Sequence, residues 1–357
     1  MCTTIKLRNT ESIILAQNYD FYYGHGLVAT NKKGVSKVAF VDNLTKENIY
    51  SDENSGAQWV SKYGSITFNQ FGREIPTCGM NEEGLAVVSM WHNTEQKPVG
   101  EGDSQITELQ WIQMQLDLYT SVDEVINNLD KVSLGVKMYP MHYHCSDTSG
   151  RSVIVEIVNG RLKAFENKDI SGCGNAGIRE SVEYIEKYHN TEHNRITIKE
   201  PILDRAAKAI LMSKDFNENS SSREIHSEAF NILDSVALHA GFGDLFRWVA
   251  KSIPPTQTFW QVMFDVSELK IYFKTKQNKK NREINLSTFD FSHKTPVKIF
   301  DVEKEEAGDI SDKFIDYSRA DNEKIVKKSF APVNNEFPEN KQNELIEYPE
   351  ILKNTPL

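Results

Sequence analysis

The first half of the chain reads as short strands. Apolar residues alternate with polar ones, or run together, over 12–16, 27–30, 37–41, 65–71 and 85–91, and each run is bounded by glycine or polar turn residues. The period then changes. Ile106, Leu109, Ile112, Leu116 and Tyr119 recur at intervals of three and four, the pattern of a helix with one buried stripe. A second helix is predicted to open at Ser121, with Glu124 in a capping-box relation ahead of Val125, Ile126 and Leu129. Strands return at 152–158 and 162–165, joined by Asn159-Gly160-Arg161, whose Asn-Gly pair favours a tight hairpin. Helical periodicity follows over 178–188, 203–213 and 227–240, and a last hairpin pattern over 258–264 and 270–275.

Strands and helices are thus grouped rather than strictly alternating, which predicts α+β layers with antiparallel sheets instead of a doubly wound parallel fold. No internal repeat or low-complexity tract interrupts the pattern, and 278–282 and 303–306 read as short charged links. Residues 331–357 differ. They are rich in Asn, Glu, Lys and Pro with few large apolar residues, so they are expected as a polar C-terminal tail lying over the surface or partly disordered. The expected domain is 2–330.

Composition narrows the class. A chain of 357 residues with 39% apolar and 26% charged side chains can bury a real core and is neither fibrous nor wholly disordered. Lys and Arg number 41 against 51 Asp and Glu, a net charge of −10, and the acid is spread along the sequence. A nucleic-acid partner would need basic surface to neutralise phosphates, so none is expected. No apolar run of about 18 residues could form a membrane-spanning helix, and the N-terminus has no apolar signal core, so the cytoplasm is the expected location. Cys2, Cys78, Cys145 and Cys173 form no C-x-x-C pair and read as free thiols, three of them filling core space.

Cys2 is the fourth and carries candidate chemistry. It follows Met1, and so small a residue normally allows the methionine to be removed, leaving a free α-amine on Cys2. Such an amine has a pKa near 7.7 to 8.0 and can act as a general base within the same residue as the thiol nucleophile. Asp20, at the end of 16–21 (Ala-Gln-Asn-Tyr-Asp-Phe), could return beside Cys2 and hold that amine. On position alone Cys2 reads as an accident of composition, and the bland alternative for Asp20 is a turn residue. His142-Tyr143-His144-Cys145 offers zinc-type ligands, but in a strand His142 and His144 point to one face and Cys145 to the other. His189 and His193 lack an acid in H-E-x-x-H spacing and read as a solvated pair. No metal or cofactor is predicted.

Several segments together resemble the choloylglycine hydrolase, or linear amide C-N hydrolase, family. That family includes bile salt hydrolases and penicillin V acylases and belongs to the N-terminal nucleophile (Ntn) hydrolases. The resemblance rests on the Cys-Thr start, Asn18-x-Asp20-Phe21, the G-M-N-E-x-G-L-x-V segment at 79–87, the glycine-rich stretch around Asn175 and the helix start Asp204-Arg205-Ala206-Ala207, in order over residues 2–327. It implies a four-layer αββα sandwich with two antiparallel sheets and hydrolysis of a non-peptide linear amide through a thioester on Cys2. It also implies site roles: Asp20 orienting the α-amine, Asn81 and Asn175 donating to the oxyanion, and Arg205 tuning the nucleophile's charge. The implied partner is a small-molecule amide with an apolar acyl group, for which the aromatic loops 19–23 and 59–63 are candidate walls. A homo-oligomer is implied too, since family members are often tetramers.

One position departs from the pattern. Many members carry Arg three residues before the motif Asp, where this chain has Gln17. Related Ntn acyltransferases, similar to acyl-CoA:6-aminopenicillanic acid acyltransferase, share the Cys-Thr-Thr start and a G-Q-N-x-D-F segment. Acyl transfer, or a catalytically silent binding protein on the same scaffold, therefore stand as alternatives.

Overall fold

The computed structural model describes residues 2–40, 56–94, 96, 104–135, 140–166, 171–186, 196–240, 255–333 and 337–355. Two sheets form its centre. The first has seven strands in the order Gly172–Cys173 (β14), Thr3–Arg8 (β1), Ile13–Phe21 (β2), Gln257–Asp265 (β15), Lys270–Thr275 (β16), Arg282–Asn285 (β17) and Gly308–Asp309 (β19). The second has nine: Arg161–Phe165 (β13), Ser152–Val158 (β12), Met141–Ser146 (β11), Ala86–Trp91 (β8), Cys78–Asn81 (β7), Ser65–Asn69 (β6), Leu27–Asn31 (β3), Lys298–Asp301 (β18) and Ile315–Asp316 (β20). Every neighbouring pair in both sheets is antiparallel apart from β17 and β19. Two small sheets flank them, one of Val35–Val38 (β4), Gln58–Val60 (β5) and Lys353–Asn354 (β21), the other of Gln105–Ile106 (β9) and Ser133–Leu134 (β10). The helices among the described residues are Glu108–Leu118 (α1), Val122–Asn127 (α2), Ile178–Glu186 (α3), Leu203–Lys214 (α4), Ser222–Ser235 (α5), Arg319–Phe330 (α6) and Glu339–Ile351 (α7).

The strand residues sort into three apolar layers, and the sorting explains why the strands read as continuous hydrophobic runs. On β2, Leu15 and Tyr19 enter the space between the sheets, where they meet Phe68, Met80, Val88, Trp260 and Phe264. Their neighbours Ile14 and Ala16 point the other way, with Ile5 and Leu7 of β1, against Ala209 of α4 and Ile225 and Leu233 of α5. On the outer face of the second sheet, Val87, Tyr143 and Val155 pack under Leu109, Ile112 and Leu116 of α1. A strand covered on both faces has no polar side to show. The order is helices, sheet, sheet, helices: the expected α+β architecture, a four-layer αββα sandwich of the Ntn hydrolase type.

Three local expectations are corrected. Helix α5 begins at Ser222 rather than 227, because Ser221 and Glu224 form a capping box that starts it earlier. The 278–282 link is anchored at its end, where Arg282 is fully buried on β17, lies over the Phe273 ring and donates to the Val302 carbonyl. The polar tail is not a surface strand of chain. Over 337–355 it forms α7 and β21, and Leu345, Ile346 and Tyr348 enter the same apolar layer as α1. Leu345, Ile346, Tyr348 and Pro349 suffice because they fall on one helical face, which an average over 331–357 conceals.

Candidate active site

Strand pairing assembles the site. Thr3 lies opposite Asn18 in the β1–β2 ladder, so Cys2 falls at the strand end beside Tyr19 and Asp20. Thr4 lies opposite Cys173 in the β1–β14 pair, which brings the turn after β14 to the same place. The results are two contacts. The Cys2 backbone N donates to Asn175 Oδ1 at 2.7 Å, and the Cys2 thiol is directed at the Asp20 carbonyl, 4.0 Å away. Cys2 is only 6% exposed.

Asn175 is itself held. Its Nδ2 donates to the Trp91 carbonyl and its own carbonyl accepts from Asn93 N, so the end of β8 fixes the amide that meets Cys2. On the other side of β2, Asp20 shares the helix-facing parity of Ile14 and Ala16. Its carboxylate pairs with Arg205 of α4 at 2.6 Å and accepts from Thr258 Oγ1. Arg205 is anchored in turn, Nε donating to the Val236 carbonyl at 2.6 Å. Both ions are essentially excluded from water.

Burial pushes the Cys2 thiol pKa above its ordinary value. The Asp20 charge adds to the rise, and the Asp20 main-chain contact and Arg205 oppose it. Cys78 and Cys145 are pushed far up, chiefly by burial, and behave as core residues. All four cysteines are free and buried.

Of the expected site residues, Cys2, Asp20, Asn175 and Arg205 are brought together. Asn81 is not. On β7, Cys78 and Met80 face the space between the sheets that Cys2 also occupies, and alternation turns Asn81 toward α1. There its Nδ2 donates to the Leu116 and Tyr119 carbonyls while its Oδ1 accepts from Glu83 N and Leu85 N. All its hydrogen-bonding capacity closes a turn and a helix end, which is the bland alternative for this motif. Sequence reasoning in turn missed Thr258, whose contact with Asp20 depends on β15 lying beside β2, a pairing with no local signal. Gln17 is buried between the sheets and donates to the Ser89 carbonyl. Cationic charge reaches this site from Arg205, on the opposite face of the strand.

Cys2 lines a cavity of about 270 Å³ together with Tyr19, Phe21, Tyr22, Phe71, Trp91 and Leu109. Loop 19–23 therefore supplies walls as expected. Loop 59–63 does not: Trp59 donates its indole N–H to Asp117 beneath α1, where Asp117 and Glu74 together hold the buried Lys37.

His142 and His144 do share the face opposite Cys145. His144 Nδ1 meets Thr4 Oγ1 at 3.0 Å. His142 contacts Glu156 at 3.3 Å and stacks on His92, the rings 4.7 Å apart and 2° from parallel. The ligand atoms of His92, His142 and Glu156 lie within 4.8 Å of one another, yet parallel imidazoles present no common in-plane point to an ion. As arranged they are two stacked imidazoles, one of which meets a carboxylate. The His189 and His193 pair lies outside the described residues.

A cysteine at a strand end between two central sheets, with helices on both outer faces, is the arrangement of an Ntn-type hydrolase fold. Residues 2–300 match the model of the linear amide C-N hydrolases, choloylglycine hydrolase family, and the chain belongs to that family. A penicillin V acylase from Pectobacterium atrosepticum is 30% identical over 128 residues, 31% of this chain and 34% of that protein, so the match spans about a third of that relative's length. Two solved structures share the fold. Penicillin V acylase from Agrobacterium tumefaciens superposes with a TM-score of 0.75 at 19% identity, covering 89% of this chain and 98% of its own. A variant of conjugated bile acid hydrolase from Clostridium perfringens gives 0.70 at 16%, covering 86% and 98%. No helix among the described residues is long and apolar enough to cross a membrane.

Proposed function

We propose that the protein cleaves a non-peptide linear amide through Cys2, exposed as the N-terminal residue by removal of Met1. The observation that carries the reading is the placement of Cys2, its backbone nitrogen on Asn175 and its residue in the lining of an apolar cavity. The α-amine takes the thiol proton, and the thiolate sulfur bonds to the amide carbon. As the C–N bond breaks, the ammonium returns that proton to the leaving amine, and a thioester remains. Water then adds to the thioester, its proton passing to the α-amine, and release of the acid regenerates the thiol.

Asn175 is the candidate oxyanion donor, because one of its two amide N–H groups remains after the bond to Trp91. Asp20 and Arg205 form a fixed dipole behind the nucleophile, and Arg205 favours the thiolate. The cycle calls on no cofactor or metal. Aromatic walls without a basic side chain suit an apolar, uncharged acyl group. Four free thiols suit a reducing compartment, the cytoplasm, and a homo-oligomer is in keeping with the family.

The test is a screen of N-acyl amides with aromatic and aliphatic acyl groups against the protein and its Cys2→Ala variant. Turnover that falls about 10³-fold or more in the variant supports the reading, and equal turnover refutes it. Product that forms only when an acceptor amine is supplied would identify the acyltransferase alternative.

A further inference from the structure

The family match ends at residue 300, yet the chain beyond it reaches the acyl cavity from behind. We propose that the α6–α7 pair sets the depth of that cavity, with Phe330 as the residue that determines which acyl groups fit. The proposal rests on the reading of the cavity as an acyl site.

The link is a row of rings. Phe21 and Phe71 both line the cavity and meet edge to face at 5.6 Å. Behind Phe71 lies Phe330 of α6 at 5.7 Å, and behind that Phe337 at 4.1 Å, stacked. Phe330 touches no cavity surface and is 1% exposed, so it acts through Phe71 as a positioning residue. Close packing leaves no slack for Phe71 to retreat while Phe330 is in place.

Polar contacts fix the same wall. Ser329 Oγ donates to the Gln70 carbonyl and meets His25 Nε2 at 3.1 Å. Gln70 in turn holds the Tyr19 hydroxyl and the Tyr23 carbonyl. Asn322 of α6 accepts from Arg73 N at 2.8 Å and donates to the Leu345 and Ile346 carbonyls of α7. Between them sits Gly72 at φ +125°, where a Cβ would stand 2.9 Å from Val326, so glycine permits the loop to lie this close to α6. Both cavity loops, 19–25 and 70–77, are therefore tied to one helical pair.

Phe330→Ala opens space behind Phe71 and should let the cavity accept a longer acyl group. The probes are aminocoumarin amides of phenylacetic, 4-phenylbutanoic and 6-phenylhexanoic acids. The ratio of kcat/KM for the longest to the shortest should rise about tenfold, through KM, while kcat for the shortest and the rate of Cys2 alkylation stay as in the parent. Phe330→Leu should restore most of the parent ratio. An unchanged ratio, or an equal loss for all three amides, overturns the proposal. If Phe330→Ala does not fold, Phe330→Val is read for the same shift. Binding of the same amides to Cys2→Ala and Cys2→Ala/Phe330→Ala gives the ratio without turnover. A shift in binding with no hydrolysis by the parent would refute the amidase reading and leave the depth proposal standing.

Discussion

Cys2 and Asp20 sit eighteen positions apart and meet because β1 and β2 form a hairpin, so their juxtaposition is legible from strand pattern. Their chemistry is polarised by burial. Asp20 and Arg205 are a water-excluded ion pair, and removing one partner of such a pair leaves the other charge uncompensated. Asp20→Asn should therefore lower the unfolding free energy by about 3–5 kcal/mol, read as a fall in the urea midpoint with unchanged slope. A loss below about 1 kcal/mol would show that Arg205 finds another anion or water. Asn175 and Arg205 are a different case from Asp20. No spacing leads to them from Cys2, and only the family resemblance singled them out. Asn81 shows the limit of that route. Its motif is specific, but a turn between strands demands the same Asn for its hydrogen bonds, and the side-chain parity that separates the two uses is a property of the folded strand.

At the scale of elements, periodicity located most strands and helices, since buried stripes and two-sided strands leave strong signals. It failed where capping chemistry or a sparse face decides. The start of α5 follows a capping box that precedes the apolar repeat, and α7 carries its buried residues on one face within an acidic sequence. That face is structural. Ile346 is fully buried against the layer that holds α1, and Ile346→Ala should cost about 2–5 kcal/mol, measured by urea denaturation. A change within about 0.5 kcal/mol, the usual effect at a surface position, would return the segment to the status of a loose tail. Short strands such as β9, β10 and β19 had no signal of their own, because pairs of residues acquire strand geometry only from their neighbours.

Across the whole molecule, the two sheets share one apolar interior, and the candidate site lies at its edge where β1, β2, β14 and the end of β8 converge. Each supplies one part: the Cys2 thiol, the Asp20 carboxylate, the Asn175 amide and the Trp91 carbonyl that fixes the amide. The αββα layering was readable only as grouped strands and helices; the order of strands within each sheet was not, and Thr258 was hidden with it. The central claim is that this convergence activates the N-terminal cysteine. The most direct measurement is intact mass of the purified protein before and after iodoacetamide at neutral pH, with peptide mapping of the labelled thiol. The account predicts a protein lacking Met1 that is alkylated first and predominantly at Cys2. Retained Met1, or a Cys2 no more reactive than the core thiol Cys78, would contradict it.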